Sequence, residues 1–496
     1  MPRNYYDILE VRSDASHDEI RQAYRRMVKL VHPDTSDAEH PTMLFQELQQ
    51  AYEALVDDRQ RRLYDASLDS ERMRSERMLP FTLQCMTSPA RLSVLNEPQV
   101  FYVLAELKAS SDFKVQRAPL NICLVLDRSV SMEGVRMAQA KAAAINLIDR
   151  LAEQDVLSVV AFSDRARAVI STQTGSDRSV AKTTVRAIQP RGGTELLQGV
   201  NAGLEELRRV AGGDFLNHLI LITDGQTYGD EAGCLAAAES AAREKIGMTL
   251  LGLGADWNDE LLDEMAARSG GYATYIDSPQ RLTGVFAERL SDLTDVVARD
   301  LLLTCHLHQS ARLHEAYRLT PAITRLPFTD NRLALGLLES KRPLRVLLGL
   351  AVHARNIGPL RALRMEADSE LLDAARMRER VDGEVVVEVV AKADHDGSVP
   401  HEIEEALAHI AMFKVHEKAQ ADLARGDHAR ATTRLRNLAT QLLNAGEIEL
   451  ARAALLEAGA LMRTGQMSAE GRKRIRYGTR SLSSNSKEPA SQDDSL

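Results

Sequence analysis

Five residues in the middle of the chain have the types and the spacing of a metal site: Asp127, Ser129, Ser131, Thr194 and Asp224. The first three alternate directly after the apolar run 120–126, and Asp224 follows a second apolar run, 218–223. Carboxylate and hydroxyl oxygens are hard ligands, which suit Mg²⁺ better than Zn²⁺. We therefore predict a Mg²⁺ site, with Mn²⁺ and Ca²⁺ as the alternative ions.

Two carboxylates balance the charge of a divalent ion but leave its coordination shell incomplete. A carboxylate from another molecule can complete that shell, so we expect an acidic protein ligand at this site. The alternative is that Asp127 and Ser129 only cap the following helix and that Asp224 begins a turn. This alternative explains each residue singly but not their predicted convergence.

A second group of residues lies near the N-terminus. The tripeptide His32-Pro33-Asp34 follows a stretch that carries three arginines: Arg21, Arg25 and Arg26. Proline fixes the backbone of the loop, and a cationic helix can steer an acidic partner surface toward it. The alternative is an ordinary solvated basic face with no partner.

The elements around this tripeptide are predicted to be helical. Ser16 and Glu19 have the spacing of a capping box, which marks the start of a helix. An apolar stripe follows at Ile20, Tyr24, Met27 and Val31, and Pro33 disfavours helical backbone at His32. A further stripe over 45–55 predicts an antiparallel partner, so the unit is a helical hairpin with a polar loop at its tip.

The elements around the predicted metal site alternate between strand and helix. Apolar runs at 120–126, 156–162, 218–223 and 248–252 are separated by helical stretches, which is typical of a parallel sheet covered on both faces. In such a doubly wound α/β domain, ligands bind at the carboxyl ends of the strands. The five residues should therefore meet at one edge of the sheet.

Residues 4–65 resemble the J domain of DnaJ-type co-chaperones, because Tyr5-Tyr6-Asp7-Ile8-Leu9, the basic helix and His32-Pro33-Asp34 occur in that order. The resemblance implies that Arg21, Arg25 and Arg26 form the surface for a DnaK-type chaperone and that the tripeptide triggers its ATPase. Val31 and Thr35, which flank the tripeptide, depart from the common pattern. The chain lacks the Gly/Phe-rich and zinc-binding regions of full-length DnaJ, so the resemblance ends with the J domain.

Residues 119–290 resemble the von Willebrand factor type A domain. The residues that carry the resemblance are the D-x-S-x-S motif at 127–131, Thr194, and Asp224 followed by Gly225. In that family these positions form the metal-ion-dependent adhesion site, which binds partners through a divalent ion. The resemblance therefore implies the same five ligands that the residue types and their spacing predict.

Composition excludes several other classes of protein. The 62 Lys and Arg residues are outnumbered by 71 Asp and Glu residues, the net charge is −9, and there are only 9 Phe, 11 Tyr and 1 Trp, so we expect no nucleic-acid partner. The four cysteines have no C-x-x-C spacing, which argues against a zinc ribbon or a disulfide framework. Without a long apolar run we expect no membrane contact and a cytoplasmic location.

The predicted architecture is multidomain. It comprises an all-α J domain (1–66), a linker (67–79), a discontinuous β-sandwich (80–117 and 298–396), a doubly wound α/β von Willebrand factor A domain inserted in the sandwich (118–297), a C-terminal helical bundle (400–465) and a disordered tail (480–496).

The function we expect is that of a co-chaperone and adaptor, not an enzyme: it binds an acidic partner through Mg²⁺ and presents it to a DnaK-type ATPase. One alternative is an assembly or regulatory subunit of a ring ATPase, resembling the adhesion-site subunit of magnesium chelatase. Another is a metal-assisted hydrolase, for which Asp164 and Glu195 are the nearby candidates for a general base.

Overall fold

The computed structural model describes residues 5–9, 11, 15–31, 41–57, 60–61, 64, 79–89, 91–110, 117–172, 178–210, 215–227, 229–372, 377–391 and 399–484. Two compact units are present, Met1–Leu79 and Pro80–Leu496. The predicted tripeptide His32-Pro33-Asp34, residues 67–78 of the predicted linker and residues 485–496 of the predicted tail lie outside the described residues.

In the first unit, the described residues include the helices α1 (Tyr5–Leu9), α2 (His17–Val31) and α3 (Pro41–Val56). The predicted capping box is present, because the backbone N–H of Ser16 donates to Glu19 Oε2 (2.7 Å) and that of Glu19 donates to Ser16 Oγ (3.3 Å). Leu9, Ile20, Leu48 and Leu55 form the small buried core. The helical hairpin predicted from the two apolar stripes is therefore confirmed.

The second unit contains a β-sandwich of two five-stranded sheets, ordered β1-β3-β14-β11-β12 and β13-β10-β15-β16-β2. The strands are β1 (Phe81–Ser88), β2 (Arg91–Ser93), β3 (Gln99–Ala109), β10 (Val296–Leu307), β11 (Ala311–Arg318), β12 (Thr324–Arg325), β13 (Arg332–Glu339), β14 (Leu344–Val352), β15 (Gly358–Leu371) and β16 (Arg378–Val390). Each sheet combines strands from before and after the α/β domain, which confirms the predicted insertion.

The α/β domain has a six-stranded sheet ordered β6-β5-β4-β7-β8-β9, in which only β6 is antiparallel to its neighbour. Its strands are β4 (Leu120–Asp127), β5 (Val156–Phe162), β6 (Ala166–Ile170), β7 (Leu216–Thr223), β8 (Gly247–Leu253) and β9 (Tyr272–Ile276). Its helices are α4 (Val135–Arg150), α5 (Arg178–Arg186), α6 (Leu196–Arg208), α7 (Glu231–Arg243), α8 (Asp259–Ser269) and α9 (Leu282–Thr294).

This sheet is covered on both faces, as predicted. Alternate residues of β4 contribute to two separate cores: Ile122 and Leu124 pack with residues of α4, α5 and α9, whereas Cys123 and Val125 pack with α6, α7 and α8. Every residue of β4 is buried, which is why the strand reads as a continuous apolar run.

The C-terminal region has four helices: α10 (His401–Ala424), α11 (His428–Asn444), α12 (Ile448–Thr464) and α13 (Ala469–Ser481). The first three occupy the predicted bundle, and α13 was not predicted. The helix α13 and a 3₁₀ turn at Leu482–Ser484 also show that the prediction of disorder is wrong for residues 480–484.

The helix α13 packs against the α/β domain as well as the bundle. Lys473 Nζ donates to the carbonyl oxygens of Ala255 (2.6 Å) and Trp257 (2.5 Å) and lies 4.2 Å from the centre of the Trp257 ring. Trp257 is only 1% exposed, so it is a packing residue of this contact. None of the described helices is long and apolar enough to cross a lipid bilayer.

Candidate metal centre

The sheet order places the two predicted aspartates side by side. β4 and β7 are parallel neighbours, and Asp127 and Asp224 both stand at their carboxyl ends. Both side chains are fully shielded from solvent. The predicted meeting of these two residues at one edge of the sheet is therefore what the fold produces.

Asp127 is held from two sides. Its Oδ1 accepts a hydrogen bond from the backbone N–H of Ser129 (2.8 Å), and its Oδ2 accepts one from the hydroxyl of Thr223 (2.6 Å). Burial raises the pKa of Asp127 to about 6, with a smaller contribution from the nearby charge of Asp224, and these hydrogen bonds oppose the rise. A cation beside the carboxylate would favour its ionised form.

A chain of hydroxyl groups connects the D-x-S-x-S motif to Asp224. The Ser131 hydroxyl donates to Asp224 Oδ1 (2.7 Å), so the 2.9 Å contact between Ser129 Oγ and Ser131 Oγ is donated by Ser129. Each hydroxyl oxygen keeps a free lone pair in this arrangement. The chain therefore positions two neutral oxygen ligands beside the carboxylate.

Thr194 is brought to the site by a loop that follows β6 and α5. The backbone N–H of Val130 donates to the carbonyl of Gly192 (3.1 Å), which joins this loop to the motif. A Cβ added at Gly225 would lie 2.6 Å from Thr194 Oγ1, so the hydroxyl lies directly against the backbone that follows Asp224. These contacts therefore bring the segments that carry all five predicted ligands together at the carboxyl edge of the sheet.

Arg136 is a further residue of this site that the sequence analysis missed. It lies in the first turn of α4 and donates from Nη1 to Asp224 Oδ2 at 2.5 Å, and its side chain is 33% exposed. The same nitrogen is 3.3 Å from the carbonyl oxygen of Ser131. The only available signal was a basic residue five positions after Ser131, where the next helix begins.

The two candidates for a general base have different surroundings. The Asp164 carboxylate accepts the backbone N–H of Gly193 through Oδ1 (2.7 Å), so it holds the loop that carries Thr194. Glu195 is exposed at the start of α6. Asp164 thus has a structural role in shaping the site.

The donor set fits a hard divalent cation. It comprises two carboxylates and three hydroxyls, with no thiolate or imidazole, and Arg136 shows that Asp224 accepts a positive charge at this position. Within the described ranges, no three His, Cys, Asp or Glu side chains cluster in a way that could hold a metal. Any ion at this site must therefore rely on the hydroxyls as much as on the carboxylates.

In the first unit, the three predicted arginines are exposed on α2. Arg21, Arg25 and Arg26 lie on the solvent side, whereas Ile20 and Ala23 are buried. Arg21 is 3.8 Å from Asp18 one turn earlier, which is a weak exposed ion pair. The basic face therefore exists, and the tripeptide His32-Pro33-Asp34 lies outside the described residues.

Three family models match the chain. Residues 4–65 match the DnaJ domain, residues 121–288 match the von Willebrand factor type A domain, and residues 401–485 match the Sll0103-like, C-terminal alpha-helical domain. The chain therefore carries a DnaJ domain at its N-terminus and a von Willebrand factor type A domain in its middle, as predicted. The helical region was predicted as a small bundle loosely similar to tetratricopeptide packing, and the family model that matches it is the Sll0103-like helical domain.

Curated relatives match separate parts of the chain. A protein of Synechocystis sp. described as uncharacterized protein sll0103 is 34% identical over 206 residues, which is 41% of this chain and 49% of that protein. The chaperone protein DnaJ of Bacillus cytotoxicus is 49% identical over 63 residues, 13% of this chain and 17% of that protein. The chain thus covers half or less of these relatives.

Solved structures resemble a larger part of the chain. A von Willebrand factor type A protein from Catenulispora acidiphila has a TM-score of 0.66 at 18% identity and covers 81% of this chain and 96% of that chain. The ArnB paralog VWA2 from Sulfolobus acidocaldarius has a TM-score of 0.50 at 13% identity, with coverage of 82% and 99%. At these identities the likeness concerns the fold alone.

Proposed function

We propose that this protein is a J-domain co-chaperone and adaptor that holds an acidic protein partner at a Mg²⁺-dependent site and presents it to a DnaK-type ATPase. The observation that carries the proposal is the convergence of Asp127, Ser129, Ser131, Thr194 and Asp224 at one sheet edge in a chain that also carries a DnaJ domain.

When bound, Mg²⁺ would supply a Lewis-acidic position for a partner's carboxylate. The residues that would hold it are Asp127, Ser129, Ser131, Thr194 and Asp224, and the Asp127 carboxylate is oriented by Thr223 and by the backbone of Ser129. The two protein carboxylates balance the charge of the ion but leave its coordination shell incomplete, so a carboxylate of the partner can complete that shell.

The basic face of α2 has a different role in the proposal. Arg21, Arg25 and Arg26 would attract the acidic surface of a DnaK-type chaperone, and His32, Pro33 and Asp34 would act on its ATPase. Exposed charges increase the rate of encounter more than they strengthen the final complex. The tripeptide, not the arginines, is therefore expected to decide whether the ATPase responds.

His32→Gln should abolish stimulation of a DnaK-type ATPase by the intact chain without unfolding it, because His32 precedes Pro33 in a polar segment off the apolar stripe. The measurement is steady-state ATP hydrolysis at increasing concentrations of the chain. His428→Gln is the matched control, since it makes the same replacement at an exposed residue of α11. Unchanged stimulation by His32→Gln would refute the co-chaperone assignment.

The adaptor half of the proposal has its own test. Immobilised intact chain should retain polypeptides in the presence of Mg²⁺ and release them with a chelator, and Asp224→Ala should retain none of them. If neither the chelator nor the substitution reduces retention, the metal-dependent adaptor role is refuted. The co-chaperone role would not be affected by this result.

A further inference from the structure

A large cavity lies at the opposite end of the α/β sheet from the candidate metal centre. Its volume is about 580 Å³, and it is an open cleft between the amino ends of β7, β8 and β9 and the sandwich strands β10 and β13. This volume falls within the range of roughly 300–1,000 Å³ that is usual for small-molecule sites. The cavity therefore has room for a ligand of moderate size.

The wall of the cavity is mainly apolar. Leucines from both the α/β domain and the sandwich contribute to it: Leu216, Leu301, Leu302, Leu326, Leu335 and Leu344. A wall of this kind favours an apolar body, because water inside it finds few hydrogen-bond partners. The polar groups on the wall then decide which ligand can enter.

Arg318, at the end of β11, is the exceptional polar group. Its Nε is shut off from solvent and donates to no acceptor, and Nη1 reaches only the carbonyl oxygen of Leu335, at 3.4 Å. Among the described residues, no carboxylate oxygen lies within 4 Å of its guanidinium. Burial lowers the pKa of Arg318, which is the expected effect of holding a charge away from water.

The other buried or half-buried charged groups on the wall are paired, whereas Arg325 is exposed to solvent. Arg299 contacts Glu370 Oε1 at 2.5 Å. The carboxylates on the wall belong to Asp292, Asp300 and Glu339, and their nearest cations are Arg289 (2.8 Å), Lys245 (2.8 Å) and Arg342 (3.9 Å), respectively. None of them reaches Arg318. Arg318 is half-buried and lines the cavity without a carboxylate partner among the described residues, so an anion that enters the cavity can pair with it.

We propose that this cavity binds a small amphipathic carboxylic acid, whose carboxylate pairs with Arg318 and whose apolar chain lies along the leucine wall. The leucine wall and the guanidinium together determine which ligand is selected. The wall alone would accept any apolar molecule, and the guanidinium alone would accept any anion. A guanidinium and a carboxylate can form two parallel charge-assisted hydrogen bonds, which fixes the orientation of the acid.

The test is calorimetric titration of the intact chain with decanoate below its micelle-forming concentration, and with decanol for comparison. We expect one decanoate per chain, bound at least about tenfold more tightly than decanol, because charge-assisted hydrogen bonds contribute more than neutral ones. Absence of decanoate binding would overturn the proposal, and so would equal affinity for decanol. This comparison uses the wild-type chain alone and does not depend on the folding of a variant.

The variant Arg318→Met then tests whether decanoate binds in this cavity. It should lower the affinity for decanoate at least about tenfold, leave decanol binding unchanged, and raise the melting temperature of the ligand-free chain, since an unpaired charge has been removed. Arg312→Met is the matched control, because Arg312 is exposed on the same strand. Wild-type affinity for decanoate in Arg318→Met, or an equal loss in Arg312→Met, would overturn the assignment to this cavity.

Discussion

The two ends of the parallel sheet hold their charges in opposite ways. At the carboxyl ends, Asp127 and Asp224 are buried side by side, and the guanidinium of Arg136 neutralises Asp224. Near the amino ends, the unpaired charge is positive. Arg299 is neutralised by Glu370, but Arg318 has no carboxylate within reach in the described part of the chain.

Each end of the sheet therefore lacks a different kind of partner. The carboxyl-end site has hard oxygen atoms and one weakly exposed internal cation, so it suits a metal ion. The amino-end cavity has an apolar wall and, in Arg318, a half-buried cation with no carboxylate partner among the described residues, so it suits an amphipathic anion. The sheet separates the two, and each can be altered without touching the other.

The largest effect should come from Glu370→Gln, which removes the counter-charge of Arg299. Arg299 is 7% exposed, and breaking a buried ion pair from one side costs about 3–5 kcal/mol. The measurement is urea unfolding of the intact chain, followed by the fluorescence of Trp257, its single tryptophan. Glu384→Gln is the control, because the Arg361–Glu384 pair on the same sheet is exposed and should contribute under about 1 kcal/mol.

The same pair predicts a pH dependence. Burial alone would raise the pKa of Glu370, but hydrogen bonds from Arg299 and Lys245 outweigh it and lower the pKa to about 2. A lowered pKa stabilises the fold above the ordinary pKa of a glutamate and loses that contribution as the pH falls toward 2. The difference in unfolding free energy between wild type and Glu370→Gln should therefore shrink over this interval, and a constant difference would contradict the assignment.

A smaller effect is expected at the carboxyl ends from Gly225→Ala. The added Cβ would meet Thr194 Oγ1 at 2.6 Å and push that hydroxyl away from the site, so Mg²⁺ affinity should fall about tenfold. Titration calorimetry measures the change. Gly284→Ala is the control, since a Cβ there meets nothing within 4 Å. An unchanged affinity in Gly225→Ala would exclude Thr194 from the ligand set.

The smallest effect should come from Arg136→Gln, and its direction is opposite. Arg136 competes with a metal ion for Asp224, and an ion pair with a partly exposed partner contributes up to about 1 kcal/mol, so Mg²⁺ affinity should rise about two- to fivefold. Arg150→Gln changes the net charge equally at the other end of α4. A fall in affinity would show that Arg136 orients Asp224 instead of competing for it.

Much of this fold could be predicted because its signals are local. The continuous apolar runs predicted β4 and β5 closely, and the pair Ser16 and Glu19 predicted the start of α2. The five candidate ligands could be predicted for the same reason, since each follows a strand or a loop with a recognisable pattern.

What could not be predicted depends on contacts between distant segments. The helix α13 has few apolar residues, and its buried Lys473 is satisfied only by carbonyl groups of the α/β domain, more than 200 positions away. The role of Arg136 depends on its ion pair with Asp224, and the role of Arg318 depends on a cavity formed by both the α/β domain and the sandwich. The residue pattern within one segment does not predict a contact with a distant segment.

The most direct test of the account is calorimetric titration of the intact chain with Mg²⁺, comparing wild type with Asp224→Ala. We predict that wild type binds one ion and that Asp224→Ala binds it more than about 100-fold more weakly, beyond the usual loss for an outer partner of a metal site. Asp149→Ala, which removes an equal charge from the exposed face of α4, should bind like wild type. Equal binding by Asp224→Ala, or no uptake of millimolar Mg²⁺ by wild type, would contradict the central claim.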